Sequence, residues 1–208
     1  MEKFSILKSR AAFLIGDNIN TDMIIPMDRY VLAERKDLHQ FAFEPLRFLP
    51  DGSKNPDFIL NKNLFVGCKI LIVGHNFGCG SSREAAVWAI FGLGIRCIIG
   101  RSFGSIFFNN CFQNGILPII LEEKSIEEVM SVAALFSKDN FLSVNLIDNQ
   151  IASFQNQLWN FSTEHYRRIQ LMEGLDDITL TLQKTKEIEE FKKQDVIKRP
   201  WVYLRKDN

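Results

Sequence analysis

Lys69-Ile70-Leu71-Ile72-Val73-Gly74-His75-Asn76-Phe77-Gly78-Cys79-Gly80 is the stretch on which the fold turns. Its continuous, β-branched first half suits a strand buried on both faces, and its glycines suit a loop leaving that strand. Residues 81–91 then carry apolar side chains at helical spacing, and Gly92-Leu93-Gly94 stops them. The same grammar repeats. Residues 96–99 read as a second buried strand, Gly100-Arg101-Ser102 turns into a helical segment through Phe108 and Phe112, and Asn114-Gly115 closes it before a third strand over residues 116–121. This is β-α-β-α-β, which calls for parallel strands joined by right-handed crossovers.

Working outward, residues 11–15 read as another strand, followed by a loop of turn formers over residues 16–22. Residues 27–62 hold the breakers Leu49-Pro50-Asp51-Gly52-Ser53 and Asn55-Pro56-Asp57 and the charged run Glu34-Arg35-Lys36-Asp37, which predicts irregular, partly mobile structure. Downstream, Ser125-Ile126-Glu127-Glu128 is a capping-box start for a helix running to Phe136. Alternation over residues 142–147 and 151–154 predicts a hairpin, residues 163–173 a helix stopped by Gly174, and residues 184–194 a surface helix. The basic tail, residues 198–208, reads as peripheral. The sum is one α/β domain over residues 1–208, with hairpins added to a parallel core.

Composition narrows the function. A chain of 208 residues with 46% hydrophobic and 12% aromatic content buries a sizeable core, and 25 basic against 25 acidic residues leave no global field to draw it onto nucleic acid or an anionic membrane. Apolar runs such as residues 85–91 fall well short of the roughly 18 needed for a membrane span. The first residues show no cleavage site, which predicts a cytoplasmic protein. Cys68, Cys79, Cys97 and Cys111 lie far apart with no C-x-x-C pair, so spacing indicates no metal site in this chain and reduced thiols.

Chemistry concentrates in Asn76-Phe77-Gly78-Cys79-Gly80-Ser81-Ser82-Arg83-Glu84. Glycines let backbone approach a ligand, N–H groups at a helix start attract anions, and the Arg83 fork matches a carboxylate or phosphate at about 1.5–3 kcal/mol per charge-assisted bond. Ser81 and Glu84 also satisfy S-x-x-E, a capping box, so capping and anion binding both remain open on spacing. Capping needs neither Ser82 nor Arg83. A dinucleotide loop is a further alternative, yet Gly78-x-Gly80-x-x-Arg83 lacks its third glycine, and Arg101 in place of the acidic partner suits only a 2′-phosphate.

The same nine residues resemble the swivelling-domain signature of the aconitase superfamily, specifically the small-subunit family of 3-isopropylmalate dehydratase (isopropylmalate isomerase). Asn20-Thr21-Asp22-Met23-Ile24-Ile25-Pro26, Asn55-Pro56-Asp57-Phe58, Ser102-Phe103-Gly104-Ser105-Ile106-Phe107-Phe108-Asn109-Asn110, Gly115-Ile116-Leu117-Pro118 and Gly174-Leu175-Asp176-Asp177-Ile178 continue the likeness in family order. The resemblance implies a three-layer β/β/α swivelling domain. It also implies a hydro-lyase of leucine biosynthesis that isomerises a small dicarboxylate, 2- or 3-isopropylmalate, through an alkene. The large subunit of such an enzyme holds a [4Fe-4S] cluster, and the small subunit binds none. Carried onto matching positions, Ser81 is the alkoxide base, Asp22 an acid near it, and Ser82 and Arg83 hold a substrate carboxylate.

Two departures stand out. Ala85-Ala86 replaces the family's usual His-Ala, and Glu34, Arg35, Lys36 and Leu38 occupy a substrate-specificity loop that usually has a Gly-Phe-Gly-type sequence. One reading turns Leu38 and Phe41 to the substrate's alkyl group and the charges to solvent or the large subunit. The other has Arg35 or Lys36 meet a polar group on a different malate, with methylmalate and dimethylmalate as alternative substrates. His75, His39 and His165 read as exposed or loop residues, Cys79 as packing beside the ligand, and Phe107, Phe108 and Phe112 as core.

Overall fold

In a computed structural model describing residues 1–135 and 141–203, the chain divides into two compact units, Met1–Gly174 and Leu175–Asn208. The first unit opens with strands β1 (Ile6–Ser9) and β2 (Ala11–Leu14) and the short helices α1 (Thr21–Ile24), α2 (Met27–Leu32) and α3 (Glu44–Arg47). The expected alternation follows as β3 (Ile70–Val73), α4 (Glu84–Gly92), β4 (Cys97–Gly100), α5 (Ser105–Gln113) and β5 (Leu117–Ile120). The unit closes with α6 (Glu123–Ala133), β6 (Leu142–Asn145), β7 (Gln150–Ala152), β8 (Leu158–Asn160) and α7 (His165–Glu173).

Strands β2-β3-β4-β5 pair in that order, all parallel, with Ala11 opposite Ile70, Ile70 opposite Cys97 and Cys97 opposite Leu117. Pro118 is tolerated because β5 is the edge strand. Alternate side chains then divide the core. Ile70, Ile72, Cys97, Ile99, Leu117 and Ile119 face the second sheet, the antiparallel β1-β6-β7-β8, where Val144, Ile151 and Trp159 meet them. Ala12, Leu71, Val73 and Ile98 face the other way, against Ala86, Ile90, Phe107 and Cys111 of α4 and α5. The result is the three-layer β/β/α arrangement, each fully buried aliphatic side chain contributing about 1.5–3 kcal/mol.

Residues 27–62 correct the expectation of irregular structure. They form α2, α3 and short 3-10 helices, and they supply core: Leu38, Ala42, Phe43 and Phe58 are buried with α4. The expected capping box at Ser125 is not used, since α6 starts at Glu123 with no side-chain cap; its expected end at Phe136 lies outside the described residues. Strands β1 and β8 were not anticipated.

The boundary between the two compact units falls at Gly174, whose left-handed backbone ends α7. The second unit consists of α8 (Asp177–Leu182), α9 (Thr185–Lys198) and a 3-10 turn, Pro200–Tyr203. Asp176 caps α8 by accepting from the Thr179 N–H at 2.7 Å. Asp195 accepts from Arg199 Nε at 2.6 Å and the Tyr203 hydroxyl at 2.9 Å, bonds that hold its carboxyl below the usual range.

Candidate active site

Three loops meet at the carboxyl ends of β2, β3 and β4, the place where open α/β sheets bind ligands. The loop after β3 is stitched to the loop after β2: Asn18 N–H donates to His75 O at 2.9 Å, Gly78 N–H to Ile19 O at 2.7 Å, and Thr21 N–H to Cys79 O at 2.9 Å. On its other side Asn76 N–H donates to Ser102 Oγ at 2.8 Å, and Phe77 exchanges bonds with Ser102 and Gly104. The backbone of residues 75–81 is therefore held from both flanks; Phe77 anchors it in the core against Phe103 and Phe107, while His75, Asn76 and Ser81 are exposed.

This frame brings Asp22, Ser81 and Arg83 together. Asn20 caps α1 by accepting from Met23 N–H at 2.9 Å, which sets Asp22 in its first turn. Arg83 Nη1 donates to Asp22 Oδ1 and, at 3.5 Å, to Ile25 O. The Arg83 side chain is only 12% exposed while Asp22 is 56% exposed, so the fork is rigidly held and its partner is accessible. Thr21 Oγ1 donates to the Ser81 carbonyl at 3.1 Å, anchoring the serine through its backbone. Ser81 and Ser82 are both exposed.

Capping by Ser81 does not occur. Helix α4 begins at Glu84 with Arg83 in the N-cap position, at φ −129° and ψ 100°, and no side chain caps it. The S-x-x-E spacing is present, but the tie to Thr21 holds Ser81 ahead of the helix. Ser81 is thus exposed ahead of the helix, two residues before Arg83 in the chain.

The specificity segment is arranged differently from expectation. Glu34 and Lys36 pair with each other at 2.8 Å on the surface. Arg35 lies over the Trp88 ring at 4.5 Å and donates Nη2 to Asn114 Oδ1 at 2.9 Å. Leu38 is 1% exposed within the core, so it does not turn to an alkyl group; a 3-10 helix over Arg35–Phe41 puts residues 35, 38 and 41 on one face, and that face packs on α4. Leu38→Met should cost under about 1.5 kcal/mol and leave the ratio of kcat/KM between two malates unchanged; a changed ratio would return Leu38 to the substrate pocket. Exposed apolar side chains on the element that follows Asp22 are instead Met27, Val31 and Leu32 of α2, which has no buried residue and begins after Pro26. The expectation of irregular structure hid them, although the apolar pattern of Met27-Asp28-Arg29-Tyr30-Val31-Leu32 was readable.

An iron-sulfur cluster, implied by the resemblance, does not fit the side chains of this chain. Cys68, Cys97 and Cys111 are free and buried, and burial pushes the Cys68 thiol up to about 11 and the other two upward as well, against the thiolate form a cluster needs. Among the described residues no three His, Cys, Asp or Glu side chains group to hold a metal. Arg101 is paired with Glu123 at 2.6 Å, so the cation that a 2′-phosphate would require is already engaged. His75 and His165 are exposed, Cys79 and Phe108 are half-buried, and Phe107 and Phe112 are core, while His39 is half-buried where exposure was expected. No helix of the described residues is long and apolar enough to cross a membrane.

Comparison with known proteins places the chain in a family. The Aconitase C-terminal domain model matches residues 1–124. A 3-isopropylmalate dehydratase small subunit of Rhizobium etli is 45% identical over 201 residues, 97% of this chain and 99% of that one. Its namesake in Rhodospirillum rubrum is 45% identical over 206 residues, 99% of each chain. The crystal structure of 3-isopropylmalate dehydratase (leuD) from Methanocaldococcus jannaschii superposes with a TM-score of 0.63 at 26% identity, covering 90% of this chain and 99% of that one. With identity at this level across almost the full length, and with Ser81, Arg83 and Asp22 gathered at the sheet's carboxyl edge, the chain belongs to the family of 3-isopropylmalate dehydratase small subunits.

Proposed function

We propose that this chain is the small subunit of a cytoplasmic hydro-lyase that interconverts 2-isopropylmalate and 3-isopropylmalate in leucine biosynthesis, working with a large subunit that carries the [4Fe-4S] cluster. The observation that carries the reading is the presentation of Ser81 beside the half-sunk Arg83–Asp22 pair. Arg83 has five N–H donors, and Nη1 is the nitrogen turned to Asp22 and Ile25, so the rest of the fork serves a substrate carboxylate, with Ser82 next to it. Ser81, as an alkoxide, takes the proton from the carbon beside the leaving hydroxyl. The C–H pair becomes the alkene as the C–O pair departs with hydroxide, for which the large subunit's cluster would supply a Lewis acid, and returning the proton and hydroxide to exchanged carbons gives the isomer. An alkoxide is costly in water; the adjacent guanidinium and exclusion of solvent by the large subunit lower that cost. The exposed apolar face of α2 meets the isopropyl group.

The test is reconstitution. The purified iron-free chain should show no turnover, and the complex with its large subunit should prefer isopropylmalate over methylmalate, with roughly 10–200-fold in kcat/KM per carbon removed. Turnover by the chain alone would refute the two-subunit reading. A higher kcat/KM for methylmalate or dimethylmalate would leave the hydro-lyase and move the substrate.

A further inference from the structure

Asn114 follows α5 as its C-cap, and its side chain is polar yet only 8% exposed. Oδ1 accepts from Arg35 Nη2 and from Trp88 Nε1, each at 2.9 Å. Nδ2 donates to Glu84 Oε1 at 2.7 Å and to Asn110 O at 2.9 Å. All four hydrogen-bonding positions of the amide are filled. Two donors meet the oxygen and two acceptors meet the nitrogen, so the partners dictate which way the amide faces.

No other side chain satisfies this surround. Aspartate would set an oxygen against the Glu84 carboxylate and the Asn110 carbonyl. Leucine would strand two donors and two acceptors, and glutamine, one methylene longer, would overshoot the point where Arg35 and Trp88 converge. The amide joins three pieces of chain: the 3-10 helix beginning at Arg35, the end of α5, and the first turn of α4. The third tie has a chemical consequence. Glu84 is the first residue of α4 and is bonded in sequence to Arg83, and that helix start has no side-chain cap to hold it. What fixes Glu84 is Asn114.

We infer that Asn114 is a positioning residue for the reaction: through Glu84 it holds the start of α4 where Arg83 meets both Asp22 and the substrate carboxylate. This rests on the reading of Ser81 and Arg83 given above. A misplacement near 1 Å at a substrate-gripping group lowers rate by about 10²-fold, so a loose α4 start has a measurable effect although Asn114 touches no substrate.

The experiment uses the complex with its large subunit. Asn114→Asp should lower kcat/KM by about 10²-fold, chiefly through KM, because Arg83 is the residue joined to Glu84. Adding Glu84→Gln reverses the polarity of the tie, the new amide donating to the new carboxylate, and should recover about 10-fold or more of that loss. Glu84 is solvent-exposed, so Glu84→Ala carries the test if Asn114→Asp does not fold: KM should rise with Tm nearly unchanged. A folded Asn114→Asp with unchanged KM, a double variant no better than the single one, or Glu84→Ala with unchanged KM would each overturn the inference. Ser81→Ala in the same series separates the two levels. Full activity there overturns the site reading and this inference with it, whereas an inactive Ser81→Ala alongside unchanged KM in the Asn114 and Glu84 variants overturns the positioning role alone.

Discussion

Ser81→Ala should lower kcat in the reconstituted enzyme by about 10²–10⁴-fold, the share a positioned proton-transfer group supplies, while stability changes by no more than about 0.5 kcal/mol. The two halves of this expectation have separate structural causes. Ser81 lies outside α4 and caps nothing, so loss of its hydroxyl removes no helix contact. The bond that anchors residue 81 runs from Thr21 Oγ1 to the backbone carbonyl, which alanine keeps. Ser81→Asp sharpens the comparison. A carboxylate at this position sets a fixed anion next to Arg83, in competition with Asp22 and the substrate carboxylate, so activity should be lost here too with KM raised. Calorimetry beside steady-state kinetics checks both. Full activity in Ser81→Asp would remove Ser81 from the chemistry, since aspartate cannot act as an alkoxide.

Why the parallel core was legible and its surroundings were not follows from burial pattern and punctuation. Strands β3 and β4 are runs of four residues buried on both faces between glycine-bearing loops, so composition and punctuation both mark them. Strands β1 and β8 expose Ile6 and Leu158, so neither is a continuous buried run, and no glycine-bearing loop marks their ends. The pieces between residues 27 and 62 are one or two turns each, and a single turn has no period. Leu38 reads as facing the substrate's alkyl group, yet a three-residue repeat turns it with residues 35 and 41 to one side, and it is buried in the core that includes α4. At the site, the motif was readable from residue types, but the S-x-x-E spacing misled: spacing is necessary for a capping box, and the tie from Thr21, sixty positions away in sequence, decides where the helix starts. Asn114 was hidden for a related reason. Asn-Gly at a helix end reads as a local stop signal, and nothing local announces a four-partner amide.

Gly78→Ala should destabilise the chain by about 2–5 kcal/mol, a large fraction of the roughly 5–15 kcal/mol that holds a domain folded. Two costs coincide at this residue. Its φ of 71° is left-handed, which costs an L side chain about 1–2 kcal/mol. A Cβ would also stand 2.2 Å from Cγ of Phe107 and 2.6 Å from both Cδ atoms, inside the ring's own volume. The ring has little room to yield: Phe107 is buried, with Phe77 edge-on at 5.4 Å and Phe103 stacked at 6.5 Å, and forcing atoms into such a core costs typically 1–3 kcal/mol. Gly80 is the internal control. Its φ of 96° is equally unsuited to a side chain, but a Cβ there meets Asn20 Cβ and Thr21 Oγ1 at 3.5 Å and Thr21 N at 3.9 Å, all ordinary contacts. Gly80→Ala should therefore pay the backbone strain alone. Melting curves distinguish the two, each kcal/mol shifting Tm by about 2–4 °C in a chain of this size. Equal losses at the two glycines would mean that Phe107 gives way and the clash contributes nothing. A larger loss at Gly78, relieved in part by Phe107→Leu in the double variant, would show that the loop carrying Ser81 is seated on that ring.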